Sequence, residues 1–313
     1  MEDARCVDDR GRWMTGVGGG RVGWRVGALL APAFVGLGVF VLGPALVSAF
    51  IAGTDKTLTG PHFGWVGTAN ARTAFSDSDL GGAVRNTLVY CLITVIPAVA
   101  IGLALALAAE RVAHGRALVR FALFLPVSAN IVAMAVVFAY MFDSSPDGFA
   151  NTVVGLFGVA PVDWLGDTST ALPVVALVGG WRLTSFVFIV YLAGLTAIPR
   201  SVYEAADVDG IRGFARLRHI TLPLLAPTTV FLGVFVTILT LQTFETVAVL
   251  TKGGPLNSST TIIYYIYEVG FTGSFRIGYA SMIALLLLAV IVALGAGGAL
   301  LGRRIRRARE AAA

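Results

Sequence analysis

Between residues 201 and 223 the chain reads Ser201-Val202-Tyr203-Glu204-Ala205-Ala206-Asp207-Val208-Asp209-Gly210, then Ile211-Arg212-Gly213-Phe214-Ala215-Arg216-Leu217-Arg218-His219, then Ile220-Thr221-Leu222-Pro223, a charged island between two long apolar segments. Ser201 followed three residues later by Glu204 is a capping-box pattern, so a short helix is expected to start there. Ala205, Ala206 and Val208 fall inside it, and Gly210 is free to take the left-handed turn that stops it. A second short helix then carries Phe214, Leu217 and Ile220 on one side at spacings of three, with Arg212, Arg216 and Arg218 projecting elsewhere and Pro223 closing the segment. The pair forms a helix-turn-helix elbow on a membrane surface. A solvated linker between two spans is the plainer alternative.

Composition supplies the membrane. Of 313 residues, 57% are apolar and 13% charged, whereas a soluble globular domain has roughly a quarter of its residues charged. The fold class is therefore all-α, a polytopic membrane protein with six transmembrane helices, at about 27–51, 84–109, 121–142, 173–198, 226–250 and 278–301. The first apolar run is too long for a signal-peptide core and no small-x-small cleavage site stands out, so it reads as a retained span with Pro32 near its start and a kink at Pro44. The chain divides into an N-terminal tail at 1–26, a membrane domain at 27–301 with the elbow loop at 199–224, and a basic C-terminal tail at 302–313. A short interfacial helix is expected from Asn151.

Orientation follows from the basic residues. The N-terminal tail, the loop at 110–120, the elbow and the C-terminal end carry five, three, four and five lysines or arginines, and the other three loops carry two, none and two. By the positive-inside rule both ends and the elbow are cytoplasmic, in a multi-pass plasma or inner-membrane protein. The net charge of +5 and pI near 9.5 point to the lipid surface and not to nucleic acid, because no basic groove is interleaved with aromatics. Cys6 and Cys91 lie at different depths, so neither a disulfide nor a metal site is expected.

Several chemistries are missing. A nucleotide-hydrolysing phosphate loop needs Gly-rich backbone ending in Lys-Ser or Lys-Thr, yet both lysines, Lys56 and Lys252, fall in outer loops. His62, His114 and His219 also fall in loops, and no His-Glu-x-x-His or Gly-x-Ser-x-Gly pattern occurs. No catalytic residue and no bound cofactor are expected. Polar side chains at membrane depth are the remaining functional candidates: Asn130 after Ser128, Trp181 and Arg182 in the fourth span, and Thr240, Gln242, Thr243 and Glu245 in the fifth. Arg182 and Glu245 either pair in the interior or reach separately for the interface or a neighbouring subunit. The threonines either face a solute or bond the preceding turn's carbonyl.

Glu204-Ala205-Ala206, then Gly210, then Ile220-x-Leu222-Pro223 resembles the EAA loop of the membrane subunits of binding-protein-dependent ABC importers. The resemblance implies that Glu204, Ala205, Ala206, Gly210, Ile220, Leu222 and Pro223 build a coupling helix seated in a cytoplasmic ATPase, and that a bulky residue at Ala206 harms docking more than folding. A second likeness covers Leu250-Thr251-Lys252-Gly253-Gly254-Pro255, Ser259-Thr260-Thr261, Ile266-Tyr267 and Phe271. With Gln242-x-Phe244-Glu245, Trp65-Val66-Gly67 and Arg85-Asn86-Thr87, it is similar to the first permease of maltose-type carbohydrate importers, although a long periplasmic insertion known there is absent. In that system polar groups ahead of the Gly-Gly-Pro stretch contact sugar, and Thr240 and Thr243 occupy comparable places on one helical face.

The resemblance thus implies a type I ABC importer fold, a second homologous permease subunit, an extracytoplasmic solute-binding protein and a cytoplasmic ATPase dimer that binds ATP and Mg. A rival reading is the same machine for a polyamine, peptide or phosphodiester. A rival of another class is an ion-coupled secondary transporter, for which Glu245 is the strong acidic candidate.

Overall fold

The structure is a computed structural model that describes residues 19–61, 63–112 and 114–310; Cys6, His62 and most of the N-terminal tail lie outside them. The described residues fall into two compact units, one ending at Phe50 and the other beginning at Ile51.

The first unit contains helix α1 (Gly19–Leu37), a π-turn (Gly38–Leu42) and most of α2 (Gly43–Ala52). Pro44 has no N–H to give and its ring collides with the carbonyl four residues back. The widened turn relieves this: the Gly43 amide bonds the Gly38 carbonyl, five residues back. The helix starts at Gly19, inside the segment assigned to the N-terminal tail.

The second unit holds α3 (Ala69–Ser76), α4 (Ser78–Arg111), α5 (Arg116–Ser128), α6 (Ile131–Met141), α7 (Phe149–Gly155) and α8 (Ala171–Thr196). After the elbow helix α9 (Arg200–Val208) come α10 (Gly213–Arg216), a π-turn (Leu217–Thr221), α11 (Leu222–Leu241), α12 (Glu245–Leu250), α13 (Ile262–Tyr267), a third π-turn (Glu268–Thr272) and α14 (Ile277–Glu310). Among the described residues five helices are long and apolar enough to cross a membrane, and α5 with α6, apolar enough together but bent by 95° at the break between them, brings the number to six when the pair is counted as one span.

Helices α4 and α8 form the most extensive contact, with α11 packed on both. Glycines set the approach: a Cβ on Gly102 of α4 would stand 2.6 Å from Val187 Cγ1, and one on Gly179 of α8 would overlap the Tyr90 hydroxyl. The shared core gathers Val95, Ala98 and Ala106 of α4, Val187, Phe188 and Tyr191 of α8, and Leu225, Leu232 and Val236 of α11. On α4, Leu88, Leu92 and Ile96 recur every four residues on the exposed side, as a lipid-facing stripe does.

Three expectations about the spans are corrected. The third is broken, because Asn130 caps α6 by accepting from the Val132 and Ala133 amides at 3.0 and 3.1 Å while Ala129 turns extended. The fifth stops at Leu241 instead of continuing to Leu250. There the Thr240 hydroxyl and the Gln242 amide bond the carbonyls of Val236 and Ile238, at 2.6 and 3.1 Å, and the chain restarts as α12. Thr240 and Thr243 therefore do not share one continuous helical face. The sixth continues helically into the basic segment assigned to the tail, through Glu310.

The elbow departs in two details. Pro199 occupies the cap position without a side-chain bond, so α9 begins at Arg200 and the Ser201–Glu204 capping box does not form. Glu204 lies 3.8 Å from Arg200, with both side chains exposed. Pro223 does not close the segment either. The helix passes through it because the Leu222 amide bonds Leu217, five residues back, repeating the solution seen at Pro44.

Candidate functional site

The elbow is held by its own short-range chemistry. Gly210 takes φ +72°, and the Ile211 and Gly210 amides return to the carbonyls of Ala206 and Asp207 at 2.8 and 3.3 Å, closing α9 as a Schellman motif. Asp207 binds the next helix: Arg216 Nη1 donates to its Oδ1 at 3.2 Å, and Arg212 stands 4.0 Å away. The Arg216 guanidinium also lies 5.6 Å over the Tyr203 ring. A cleft of about 190 Å³ beside this knot is lined by Leu107, Glu110 and Arg111 of α4 together with Tyr203 and Arg216.

Within the elbow motif the side chains divide. Ala206 is 3% exposed, whereas Glu204, Ala205, Gly210, Leu222 and Pro223 are exposed and Ile220 is half-buried. Two apolar residues stand out in water's reach, Val208 at 88% and Phe214 at 74%. Ala206 faces its own chain, so a bulky residue there disturbs the elbow's own packing.

The polar residues of the fourth and fifth spans separate into different environments. Arg182, Gln242, Thr243 and Glu245 line one cavity of about 200 Å³ with Tyr90, Ile131, Gly179 and Thr246. Arg182 and Glu245 share that cavity without an ion pair, and Arg182 Nε is buried with no hydrogen-bond partner. Trp181 points elsewhere, into an apolar groove of about 680 Å³ where its ring meets Phe138 edge-on at 5.4 Å. Thr240 is fully buried and spends its hydroxyl on Val236. Asn130 is exposed and caps α6.

Sequence reasoning missed Tyr90. The available signal was polar Thr87, Tyr90 and Thr94 at helical spacing inside an apolar run; all three are buried on α4. It also missed Asp77, whose Oδ2 accepts the hydroxyls of Tyr265 at 2.7 Å and Tyr279 at 2.5 Å while Oδ1 caps α4. Burial alone would raise the Asp77 carboxyl, but bonds from Tyr279, Tyr265, Leu80 and Asp79 hold it below its ordinary value of 3.8.

The motifs quoted from separate parts of the chain meet in space. The Asn86 side-chain amide donates to the carbonyls of Asn257 and Thr260, and the Thr87 hydroxyl receives the Ile262 amide at 2.9 Å. Ser259, Thr260 and Thr261, all buried, bond back to Gly254, Gly253 and Thr243. The Gly-Gly-Pro loop is thus tied both to α4 and to the wall of the Arg182 cavity.

The chain is 35% identical over 264 residues, 84% of its length and 85% of the relative's, to the sulfoquinovosyl glycerol transport system permease protein SmoG of Agrobacterium fabrum. It is 33% identical over 279 residues, 87% and 91% of the two lengths, to the lactose transport system permease protein LacF of Rhizobium radiobacter. Its fold matches a chain of a bacterial alginate ABC transporter crystallised with an alginate pentasaccharide-bound periplasmic protein, with a TM-score of 0.79 at 24% identity and coverage of 91% and 96%. A family model described as "Binding-protein-dependent transport system inner membrane component" matches residues 98–307. The chain belongs to that family of inner-membrane transport components.

Proposed function

We infer that this chain is the membrane-spanning permease subunit of an ATP-driven sugar importer, forming part of the solute pathway and performing no covalent chemistry itself. The observation that carries the reading is a mechanical connection. A single helical run from Gly213 to Leu241 has the Asp207–Arg216 knot at one end and Gln242, Thr243 and Glu245 at the other. Movement gripped at the elbow is delivered to the Arg182 cavity.

In this reading the exposed Glu204, Ala205 and Val208 meet a cytoplasmic ATPase dimer that holds the ATP and Mg. Gly210 and Pro223 set the shape of the elbow, Ala206, Ile220 and Leu222 seat it, and both termini are cytoplasmic. Closure of the ATPase rocks this chain against a second, homologous permease and exposes the cavity to an extracytoplasmic binding protein. A cavity of about 200 Å³ is below the roughly 300–1,000 Å³ of ordinary small-molecule sites, which fits one wall of a pathway completed by a second subunit. Tyr90, Gln242 and Thr243 offer the mixed donors and acceptors that sugar hydroxyls require. The transport of sulfoquinovosyl glycerol and lactose by SmoG and LacF supports a sugar.

The test is reconstitution in proteoliposomes with the second permease, binding protein and ATPase. Uptake is expected to require ATP, and a cysteine at exposed Ala205 is expected to cross-link to the ATPase while one at buried Ala206 does not. Uptake driven by an ion gradient without the ATPase would instead establish a secondary transporter.

A further inference from the structure

Arg182 is the twelfth of the 26 residues of α8, about 16 Å from the helix start at 1.5 Å per residue. A guanidinium there is costly without an anion or several acceptors, and its Nε is buried and unpartnered. Glu245, the one acidic residue lining the cavity, is exposed and not paired with it. The other lining groups, Tyr90, Gln242, Thr243 and Thr246, are uncharged, and Gln242 already donates to Ile238. Among the described residues no group of the cavity is paired with Arg182, a half-buried side chain, and the one carboxylate in the lining, Glu245, stands apart from it.

We propose that Arg182 is the counter-ion for an anionic group on the transported solute, a carboxylate, phosphate or sulfonate, which makes the substrate an acidic sugar or sugar derivative. This rests on the importer reading above. The planar guanidinium suits such groups because two parallel N–H donors match two oxygens. Uncharged Tyr90, Gln242 and Thr243 then serve the hydroxyls, and the carboxylate of Glu245 disfavours a second negative charge at the rim.

The test uses the purified complete transporter without its binding protein, titrated with methyl glucuronide or with neutral methyl glucoside, and read by thermal stabilisation. The unaltered complex is expected to prefer the glucuronide by roughly 10- to 100-fold in half-saturation. Arg182→Met abolishes that preference and Arg182→Lys keeps part of it. Glu245→Gln gives a reading independent of how the Met variant folds: the ratio of glucuronide to glucoside affinity rises. Equal affinity for the two glycosides, an unchanged preference in Arg182→Met, or a reduced ratio in Glu245→Gln overturns the proposal. Failure of the importer reading looks different, as uptake that persists without the ATPase; failure of this proposal leaves ATP-dependent uptake intact.

Discussion

The side-chain amide of Asn86 donates to the main-chain carbonyl of Asn257 at 2.8 Å, across 171 positions of sequence, and to that of Thr260 at 3.1 Å. One residue on the second span thereby holds the loop that follows the fifth. Two neutral hydrogen bonds contribute about 1–3 kcal/mol in total. Asn86→Ala is expected to lower the thermal midpoint of the detergent-purified protein and to open 253–261 to protease. Asn86→Asp is expected to do worse, because a carboxylate meets two carbonyl oxygens.

Gly102→Ala places a methyl carbon 2.6 Å from Val187 Cγ1 and 3.1 Å from the Phe188 amide nitrogen. The backbone atom cannot swing aside, so α4 and α8 must separate. A loss of about 1–3 kcal/mol is expected, seen as early unfolding on heating. Gly81→Ala, where the added Cβ meets open space, serves as the control.

Asp77 predicts a pH effect. Its folded carboxyl titrates below 3.8, so its contribution to stability is fully present above that unfolded value and is lost as pH falls through the lower folded one. The protein is expected to lose stability on acidification below about pH 4, and Asp77→Asn is expected to flatten that dependence. At neutral pH Asp77→Ala removes the α4 cap and both tyrosine acceptors, a loss of roughly 1–3 kcal/mol. Unfolding midpoints across an acid series provide the measurement.

Ala206→Leu and Gly210→Val separate two ways of damaging the elbow. The first forces bulk into a site that is 3% exposed; the second puts a branched side chain at φ +72°, costing at least about 1–2 kcal/mol. Both variants are expected to insert normally and to lose ATP-dependent uptake, with faster proteolysis between Arg200 and Arg216. An elbow as resistant to protease as the original would contradict the assignment of Ala206 to the chain's own packing.

Much of this was legible in the residues, and the failures share a cause. Apolar length located the spans, and the Gly210 turn followed from a glycine placed after a short amphipathic helix. Local hydrogen bonding then overrode hydropathy at Asn130 and at Thr240–Gln242, where a polar side chain captured backbone and broke an otherwise apolar run. The Ser201–Glu204 pattern failed because Pro199 had already fixed where the helix starts. At the cavity, Arg182, Gln242, Thr243 and Glu245 were visible as polar residues at membrane depth. Their separation from Trp181 and Thr240 depends on which way each helix face turns, and α12 breaks the spacing on which that inference relied.

The widened turn at Leu217–Thr221 adds one residue to the winding of the helix, equivalent to about 100° of rotation. The azimuth of Arg216, and with it the direction in which the Asp207 knot faces, is therefore offset from that of Gln242 by a single inserted position. Shortening this turn by one residue would swing the elbow end around the axis while the residues from Pro223 to Leu241 kept their seats.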